Sequence, residues 1–190
     1  MKTIFQYFLI TSSILFSVGC VTVEKDKLPE SWPRLIQNQT DSQFAGVYRA
    51  TPAATTGSPA SSADSENSLP FFLVGLKNSK AVSCRVEEIR GILNLTTEKG
   101  SLEITTKRSK SGSNKGALFI RNETKRIIDP LANGVAHNKL YIFTTEDGSL
   151  VGLREGYGAG FVVGIFPAVG ATKQWILWKK QNKSWRTNRP

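Results

Sequence analysis

The chain has 190 residues, with 25 Lys and Arg against 15 Asp and Glu and a formal net charge of +10 at pH 7. This length is enough for one domain with a substantial hydrophobic core. One histidine and two cysteines offer no ligand spacing for a metal site, so we predict neither a metal nor a cofactor.

The first twenty residues have the layout of a secretory signal peptide. Lys2 supplies positive charge, Ile4 to Phe16 is a mostly apolar run, and small residues then lead to Cys20. The run is shorter than the roughly 20 apolar residues that a membrane-spanning helix needs. We therefore predict a signal peptide over residues 1–19 and an exported chain after it.

The residues at the end of this signal, Ser17-Val18-Gly19-Cys20, resemble the cleavage box of bacterial lipoprotein precursors, with Ser17 where Leu is usual. In that family the cysteine thiol is joined to diacylglycerol, the signal is removed and the new amino end is acylated. The resemblance implies that Cys20 is the lipidation site, since two or more acyl chains hold a protein stably in a bilayer. Val21, rather than Asp, implies the outer membrane of a Gram-negative cell, facing the periplasm. The alternative is an ordinary secreted protein with an incidental cysteine.

Export also restricts the partners of a basic protein. Anionic lipid head groups, lipopolysaccharide and anionic wall polymers are the acidic surfaces of the envelope, whereas nucleic acid is not expected there. If Cys20 carries lipid, Cys84 has no disulfide partner. Because Cys84 lies in an alternating run, we predict that it is a buried, apolar thiol.

Residues 20–31 are charged and predict a tether between the membrane and the domain. Ser31 is expected to cap one or two helical turns with Pro33 early in them. The apolar residues of this segment are expected to pack it onto the domain: Trp32, Leu35 and Ile36.

The next stretch begins with a strand candidate, Gln43 to Arg49. Its Gly-x-Tyr, with a Trp upstream, is similar to the Gly-x-Trp of the first strand of lipocalin-like barrels, a likeness that implies no ligand site. Residues 51–68 are rich in Ala, Ser, Thr and Pro and predict a mobile loop. Leu69 to Leu76 is the most apolar run after the signal and predicts a core segment. Its proline near the start and its glycine near the end favour a short helix over a strand.

Strands dominate the rest of the chain. Val82 to Glu87 alternates, and Ile92–Thr97 with Ser101–Thr106 predicts a hairpin whose inward residues are Leu93, Leu95, Leu102 and Ile104. Asp147-Gly148 lies between alternating runs and predicts a second hairpin. Gln174 to Lys179 is apolar on both faces, which is typical of a covered strand.

Between these strands, glycine and proline predict breaks. Residues 117–121 and 124–131 are expected to be separate short strands. The glycines of 156–160 are expected at sheet corners, and 167–172 at a turn. The glycine spacing does not fit a dinucleotide-binding fingerprint.

These elements predict a mainly β fold, an antiparallel sandwich or small barrel of about eight to ten short strands with one or two short helical turns. We expect a single domain over residues 32–180 and a basic tail over 181–190.

Two basic stretches are candidate contacts to an anionic surface: the basic loop, residues 107–116, and the end of the chain, residues 179–190. A solvated hairpin loop is the preferred explanation of the first, and a frayed tail explains the second at least as well. The residues concerned are Lys107, Arg108, Lys110, Lys115, Lys179, Lys180 and Arg186.

Catalytic residues are hard to identify. His137 is predicted to lie in a loop that enters a strand, and it could serve a hydrolase with a serine or with Cys84 as nucleophile. No Gly-x-Ser-x-Gly elbow accompanies it, and nothing supplies a third member of a triad. The neighbouring acids Glu87-Glu88 and Glu146-Asp147 should point to opposite faces of a strand and lie at the surface.

The leading hypothesis is therefore a lipid-anchored envelope protein that works by binding or assembly. The first alternative is a lipocalin-like carrier or sensor of an amphipathic envelope molecule. The second is a hydrolase that uses His137.

Overall fold

The computed structural model describes residues 27–36, 39, 41–56, 66–76, 81–110, 114–129, 132–162 and 166–182. Cys20, the signal peptide and residues 183–190 with Arg186 lie outside the described residues. After a 3-10 turn at Asp41–Phe44, the elements in chain order are β1 (Gly46–Arg49), β2 (Ala54–Thr55), α1 (Leu69–Val74), β3 (Ser83–Ile89), β4 (Ile92–Thr97), β5 (Gly100–Thr105), β6 (Lys107–Arg108), β7 (Leu118–Asp129), β8 (Ala132–Thr144), β9 (Leu150–Val162), β10 (Phe166–Trp178) and β11 (Lys180–Gln181).

The strands form two antiparallel sheets, which confirms the predicted fold class. One sheet has the order β11-β1-β3-β4-β5 and the other the order β2-β10-β9-β8-β7-β6. Only Thr106 separates β5 from β6, and only Lys179 separates β10 from β11. The chain thus passes directly from one sheet to the other along both sides, and the sheets enclose one core.

Side chains from both sheets and from α1 fill the space between the sheets. Phe72 of α1 packs edge-on against Trp178, with ring centroids 5.1 Å apart. The indole Nε1 of Trp178 donates to the carbonyl oxygen of Asn67 at 3.1 Å, so the ring's one polar group is satisfied. Tyr48 is also fully buried, and this burial raises the pKa of its hydroxyl.

The predicted helix is confirmed at α1. Pro70 lies in its first turn, and Gly75 ends it with φ +72°, donating its N–H to the carbonyl oxygen of Phe71 at 2.7 Å. A left-handed conformation of this kind costs glycine little. The residues from Leu69 to Leu73 are buried, so the apolar run lies in the core as predicted.

A second apolar cluster lies on the opposite face of the six-stranded sheet. Trp175 and Leu177 belong to it, whereas Ile176 and Trp178 belong to the core, which confirms that β10 is apolar on both faces. The N-terminal segment covers this cluster with its partly buried apolar residues, Leu28, Trp32 and Leu35.

The predicted helical turn at Ser31 is wrong, although the predicted packing is present. Leu35 forms a β-bridge with Thr145, and Ile36 donates its N–H to the carbonyl oxygen of Thr144 at 3.0 Å. Pro33 disfavours helical backbone at Trp32, and the end of β8, beyond its pairing with β7, offers these residues extended pairing instead.

The interpretation of residues 51–68 as a loop needs correction at both ends. Ala54 and Thr55 form β2, which pairs with Leu177 and Ile176. At the other end, Asn67 and Ser68 are buried. Backbone pairing fixes the first end of this segment and burial fixes the second, although neither end carries a large apolar side chain. Residues 57–65 lie outside the described residues.

Strands β7 to β10 are longer than predicted. One strand replaces the two expected between residues 117 and 131, and His137, the glycines of 156–160 and residues 167–172 all lie inside strands. Glycine accepts extended backbone as readily as turns, and continuous pairing with neighbours determines the conformation here.

In the first hairpin, Leu93 and Leu95 are buried and Ile104 packs on the core as predicted, but Leu102 is exposed. It lies on β5, the last strand of its sheet.

No helix in the part of the chain that the structure describes has the length and apolar character to cross a bilayer.

Candidate binding surface

The long strands continue past the core as a four-stranded extension, formed by residues 122–129, 132–139, 155–162 and 166–173. Strands β8 and β9 stay in register from Ala132↔Val162 to Thr144↔Leu150. The short strands β6 and β2 pair only near residues 118–119 and 176–177. Among the described residues, the two outer edges of the extension therefore have no strand partner.

The register assigns each residue of the extension to a face, because directly paired residues share one face of a sheet. Leu140 pairs with Arg154 and borders the core, so this side is the inner face. Tyr141 pairs with Leu153 and belongs to the second apolar cluster, so the other side is the outer face.

The inner face of the extension is lined mainly by small residues. Gly134 is paired with Gly160, and a Cβ at Gly134 would come within 2.6 Å of the carbonyl oxygen of Ala159. A Cβ at Gly160 would collide with the carbonyl oxygen of Asn133. At this pair the two backbones therefore approach each other too closely for a larger residue at either position.

Two arginines lie at the junction between the inner face and the core. The guanidinium of Arg154 donates to Gln174 Oε1 at 2.7 Å and to the carbonyl oxygen of Glu66 at 3.3 Å. Arg121 donates to the carbonyl oxygen of Phe71 at 3.1 Å. Glu123 lies between them, 3.7 Å from Arg121 and 3.8 Å from Arg154.

These contacts hold α1 and the residues before it against the sheet. Burial lowers the pKa of Arg154, and the nearby carboxylates of Glu123 and Glu66 oppose that effect. Each guanidinium also lies over a ring of α1, at 5.9 Å for Arg121 on Phe71 and 6.0 Å for Arg154 on Phe72. The arginines are engaged by the protein itself, so we assign them a structural role that sequence reasoning missed.

A charged row crosses the outer face where the extension begins. Lys173 Nζ lies 2.7 Å from Glu155 Oε1, and Asn114 donates to Glu155 Oε2 at 2.9 Å. Asn114 belongs to the predicted basic loop, so this hydrogen bond brings the loop onto the outer face. Lys139 lies directly opposite Glu155 in the register of β8 and β9, and its side chain is exposed.

Beyond this row, the outer face carries large apolar side chains that are 38% to 84% exposed. We call them the outer patch: Ile128, Val135, Tyr157, Phe161 and Val169. By register, Ile128 and Phe161 both lie beside Asn133, and Val135 and Val169 both lie beside Ala159. The five side chains thus form one surface across the four strands.

His137 borders the outer patch rather than a catalytic site. It lies within β8, not in the predicted loop, and its Nδ1 is 3.0 Å from Thr124 Oγ1. Its ring lies 5.4 Å from that of Tyr157. Cys84 is buried in the core, where burial, assisted by Glu98, raises the pKa of the thiol to about 12. The structure therefore does not bring this cysteine to His137, and it confirms the predicted buried thiol.

The predicted anionic-contact residues are divided among several places. Arg108 is paired with Glu88 at 3.2 Å, and Lys179 with Asp147 at 2.9 Å. Lys180 donates to the carbonyl oxygen of Ala45 at 3.1 Å. Within residues 107–110 and 114–116, the exposed basic side chains are Lys107, Lys110 and Lys115.

The prediction that all four neighbouring acids lie at the surface is wrong for Glu88. Its side chain is 2% exposed, because it faces the interior and pairs with Arg108. Glu87 points the other way, towards Arg85 at the surface, as alternation along a strand requires. In the described part of the chain, no three His, Cys, Asp or Glu side chains are grouped in a way that could hold a metal ion.

Comparison with known proteins gives no relative. No family model matches the chain, and neither a curated protein nor a solved structure shows significant similarity to it.

Proposed function

We propose that this protein is a lipid-anchored component of the bacterial envelope that acts by binding through the extension. The lipidated Cys20 holds the mature chain at the membrane, and the tether leads into the segment that packs on the outer face. The domain then presents the extension to its partner.

The outer patch is the observation that carries this proposal. Isolated apolar residues are common on protein surfaces, whereas these five large side chains lie together on one face of the extension. Tyr157 and Phe161 are 61% and 53% exposed within it. Aromatic residues of this kind are enriched in binding surfaces.

The packing of the interior favours this proposal over a carrier that encloses its ligand. The side chains of Phe72 and Leu73 from α1 and of Trp178 from β10 are fully buried between the sheets. On the extension, by contrast, the side chains of the outer patch are exposed.

The anchor is tested by the intact mass of the protein purified from its native membrane fraction. We expect a chain that begins at Cys20 and carries added acyl mass. A Cys20→Ser variant should lose both the acyl mass and the membrane association, whereas the matched Cys84→Ser variant should keep them. A native chain with another start and no lipid would contradict the proposal.

The binding surface is tested by placing a photoreactive amino acid at position 157 and, as a control, at Val82, which is 69% exposed but lies outside the six-stranded sheet. In intact cells, we expect adducts, with lipid or with protein, from position 157 and few from position 82. Equal yields from both positions would argue against a dedicated surface on the extension.

A further inference from the structure

We infer that the outer patch and the bases beside it dock on the surface of a bilayer that contains anionic lipid. This inference rests on the proposed function, because it specifies what the binding surface of the anchored protein meets. The contact differs from the anchor, since it is made by the folded domain and not by the acyl chains.

The composition of the patch fits the interfacial region of a membrane. Tyr157 combines a ring with a hydroxyl, and Phe161 and Ile128 extend the apolar surface towards the end of the sheet. Aromatic rings concentrate where lipid head groups meet hydrocarbon, because one part of that region is apolar and another is wet.

Basic side chains lie beside the patch, where lipid phosphates would be. Arg126 pairs with Val135 and therefore lies on the outer face next to the patch. Among the described residues, neither Arg126 nor Lys139 has an ion-pair partner, and both are exposed. Asn114 holds the basic loop on the same face, with the exposed Lys115 next to it. The charges and the apolar group thus complement an anionic bilayer.

The tether leads from the same face. Leu28 packs on the second apolar cluster, and the chain from Cys20 to Leu28 can span at most about 28 Å. Along β9, Leu153 is the member of that cluster nearest the patch, about 14 Å from Tyr157 and about 27 Å from Phe161. A lipid on Cys20 can therefore lie level with the patch, so that the membrane which holds the lipid also meets the patch.

The size of the patch argues against a second copy of the chain as the occupant. From Tyr157 to Phe161 it measures about 14 Å, and across the four strands it also measures about 14 Å, so its footprint in the plane of the sheet is about 200 Å². A stable protein interface buries about 800 Å² on each partner. Contact with a bilayer has no such minimum when a lipid anchor already keeps the protein at the surface.

The test uses the mature chain, residues 20–190, with Cys20→Ser to remove the anchor; this chain contains every described residue. Binding to vesicles of phosphatidylglycerol and phosphatidylcholine is measured by sedimentation at low and at high salt. We expect binding at low salt, a marked loss at high salt because the charges are screened, and weaker binding to phosphatidylcholine alone.

Two variants and a control locate the contact. Tyr157→Ser with Phe161→Ser should lower the partition coefficient by about tenfold or more, since two exposed apolar groups are removed. Arg126→Gln with Lys139→Gln should weaken binding to anionic vesicles and reduce its dependence on salt. Val82→Ser with Ile89→Ser, which removes exposed apolar groups elsewhere, should leave binding unchanged. Circular dichroism of each variant confirms that it is folded.

Three results would overturn the inference. The first is the absence of binding to anionic vesicles at low salt, and the second is an equal loss of binding in the patch variant and the control. The third is concentration-dependent self-association in ultracentrifugation that the patch variant abolishes, which would identify a second copy as the occupant. None of these results bears on the acyl mass at Cys20, so failure here is distinguishable from failure of the proposed anchor.

Discussion

The carboxylate of Glu88 on β3 and the guanidinium of Arg108 on β6 form an ion pair that joins the two sheets. Arg108 Nη2 lies 3.2 Å from Glu88 Oε2, and the Glu88 side chain is 2% exposed. Arg108 also donates to the carbonyl oxygen of Gln39 at 2.8 Å and lies over the ring of Phe44 at 5.8 Å. One side chain therefore connects the five-stranded sheet, the six-stranded sheet and the segment before β1.

Removal of this cation should destabilise the fold. In Arg108→Met the carboxylate of Glu88 stays buried without its cationic partner, and we expect the free energy of unfolding to fall by about 2 kcal/mol. The loss is smaller than for a fully buried pair because the Arg108 side chain is 30% exposed. Urea unfolding at an unchanged m-value measures it.

The matched control is Arg85→Met on the same strand as Glu88. Arg85 pairs with Glu87 at the surface, and its side chain is 46% exposed, so the change should cost less than about 0.5 kcal/mol. Comparable losses in the two variants would show that the interior pair has no special role.

The packing of Gly152 gives a second prediction. A Cβ at this position would lie 2.7 Å from the ring of Trp178 and 2.9 Å from the ring of Phe72. Because both rings are fully buried, they cannot move aside easily, and we expect Gly152→Ala to lower the free energy of unfolding by about 1–3 kcal/mol. Thermal or urea unfolding provides the measurement.

Gly170→Ala is the control for this change, since it lies in the neighbouring strand and no atom lies within 4 Å of its added Cβ. Its stability should stay within about 0.5 kcal/mol of the wild type. If Gly170→Ala were as destabilising as Gly152→Ala, the cost would come from any side chain added to this face of the sheet and not from the two rings.

Hydrophobic alternation and turn residues predicted those parts of the fold in which the pattern is visible within a few neighbouring residues. The alternation of Trp175, Ile176, Leu177 and Trp178 assigned both faces of β10 because all four side chains are large and apolar. Likewise, the proline and the glycine that flank the run at Leu69 correctly indicated a short buried helix.

The extension could not be predicted in the same way. Its inner face carries glycines such as Gly134 and Gly160 where an amphipathic strand would carry large residues, so the sequence shows no alternation there. Local pattern therefore predicts corners and turns for this segment and does not place Tyr157 and Phe161 on one surface.

The ion pairs depend on tertiary register, which short-range pattern does not contain. A bulge in β7 between Phe119 and Arg121 shifts the pairing with β8 and brings Arg121 to the inner face beside Glu123. For the same reason, the sequence grouped Arg108 with exposed lysines although it faces the interior.

The thiol of Cys84 supplies a third prediction, on chemical reactivity. Burial, assisted by Glu98, raises the pKa of this thiol to about 12, so the nucleophilic thiolate is scarce at neutral pH. In the Cys20→Ser protein, where Cys84 is the remaining cysteine, we expect negligible reaction with a disulfide reagent at pH 8. In urea above the unfolding midpoint, the thiol should react fully.

The same shift has a consequence at alkaline pH. A thiol whose pKa is higher in the folded state contributes stability that is complete below its ordinary pKa of about 8.5 and is lost as the pH rises above that value. Cys84→Ala should therefore flatten the decline of stability between neutral pH and pH 10. For the reactivity test, rapid reaction of the native protein with the disulfide reagent at pH 8 would contradict the buried position of Cys84.

Asp147 provides the last prediction, on acid stability. Its carboxylate accepts hydrogen bonds from Thr145 Oγ1 at 2.6 Å and from the N–H of Ser149 at 3.0 Å, and it pairs with Lys179 at 2.9 Å. Partial desolvation raises the pKa of Asp147, but these bonds outweigh that effect and hold the pKa well below its ordinary value. The charged form is thus favoured in the folded state.

A carboxyl whose pKa is lower in the folded state contributes stability that is present above its ordinary pKa of about 3.9 and is lost as the pH falls below it. Asp147→Asn should therefore be less stable than the wild type at pH 7, and the difference should shrink as the pH falls from 4 towards 2. Asparagine keeps an oxygen that can accept from Thr145 and Ser149, so the comparison isolates the charge.

Glu146→Gln removes a neighbouring exposed carboxylate that makes no side-chain hydrogen bond among the described residues, and its unfolding curve should match that of the wild type at both pH values. A difference for Asp147→Asn that stayed constant across this pH range would mean that turn geometry, and not the ionised carboxylate, stabilises the hairpin.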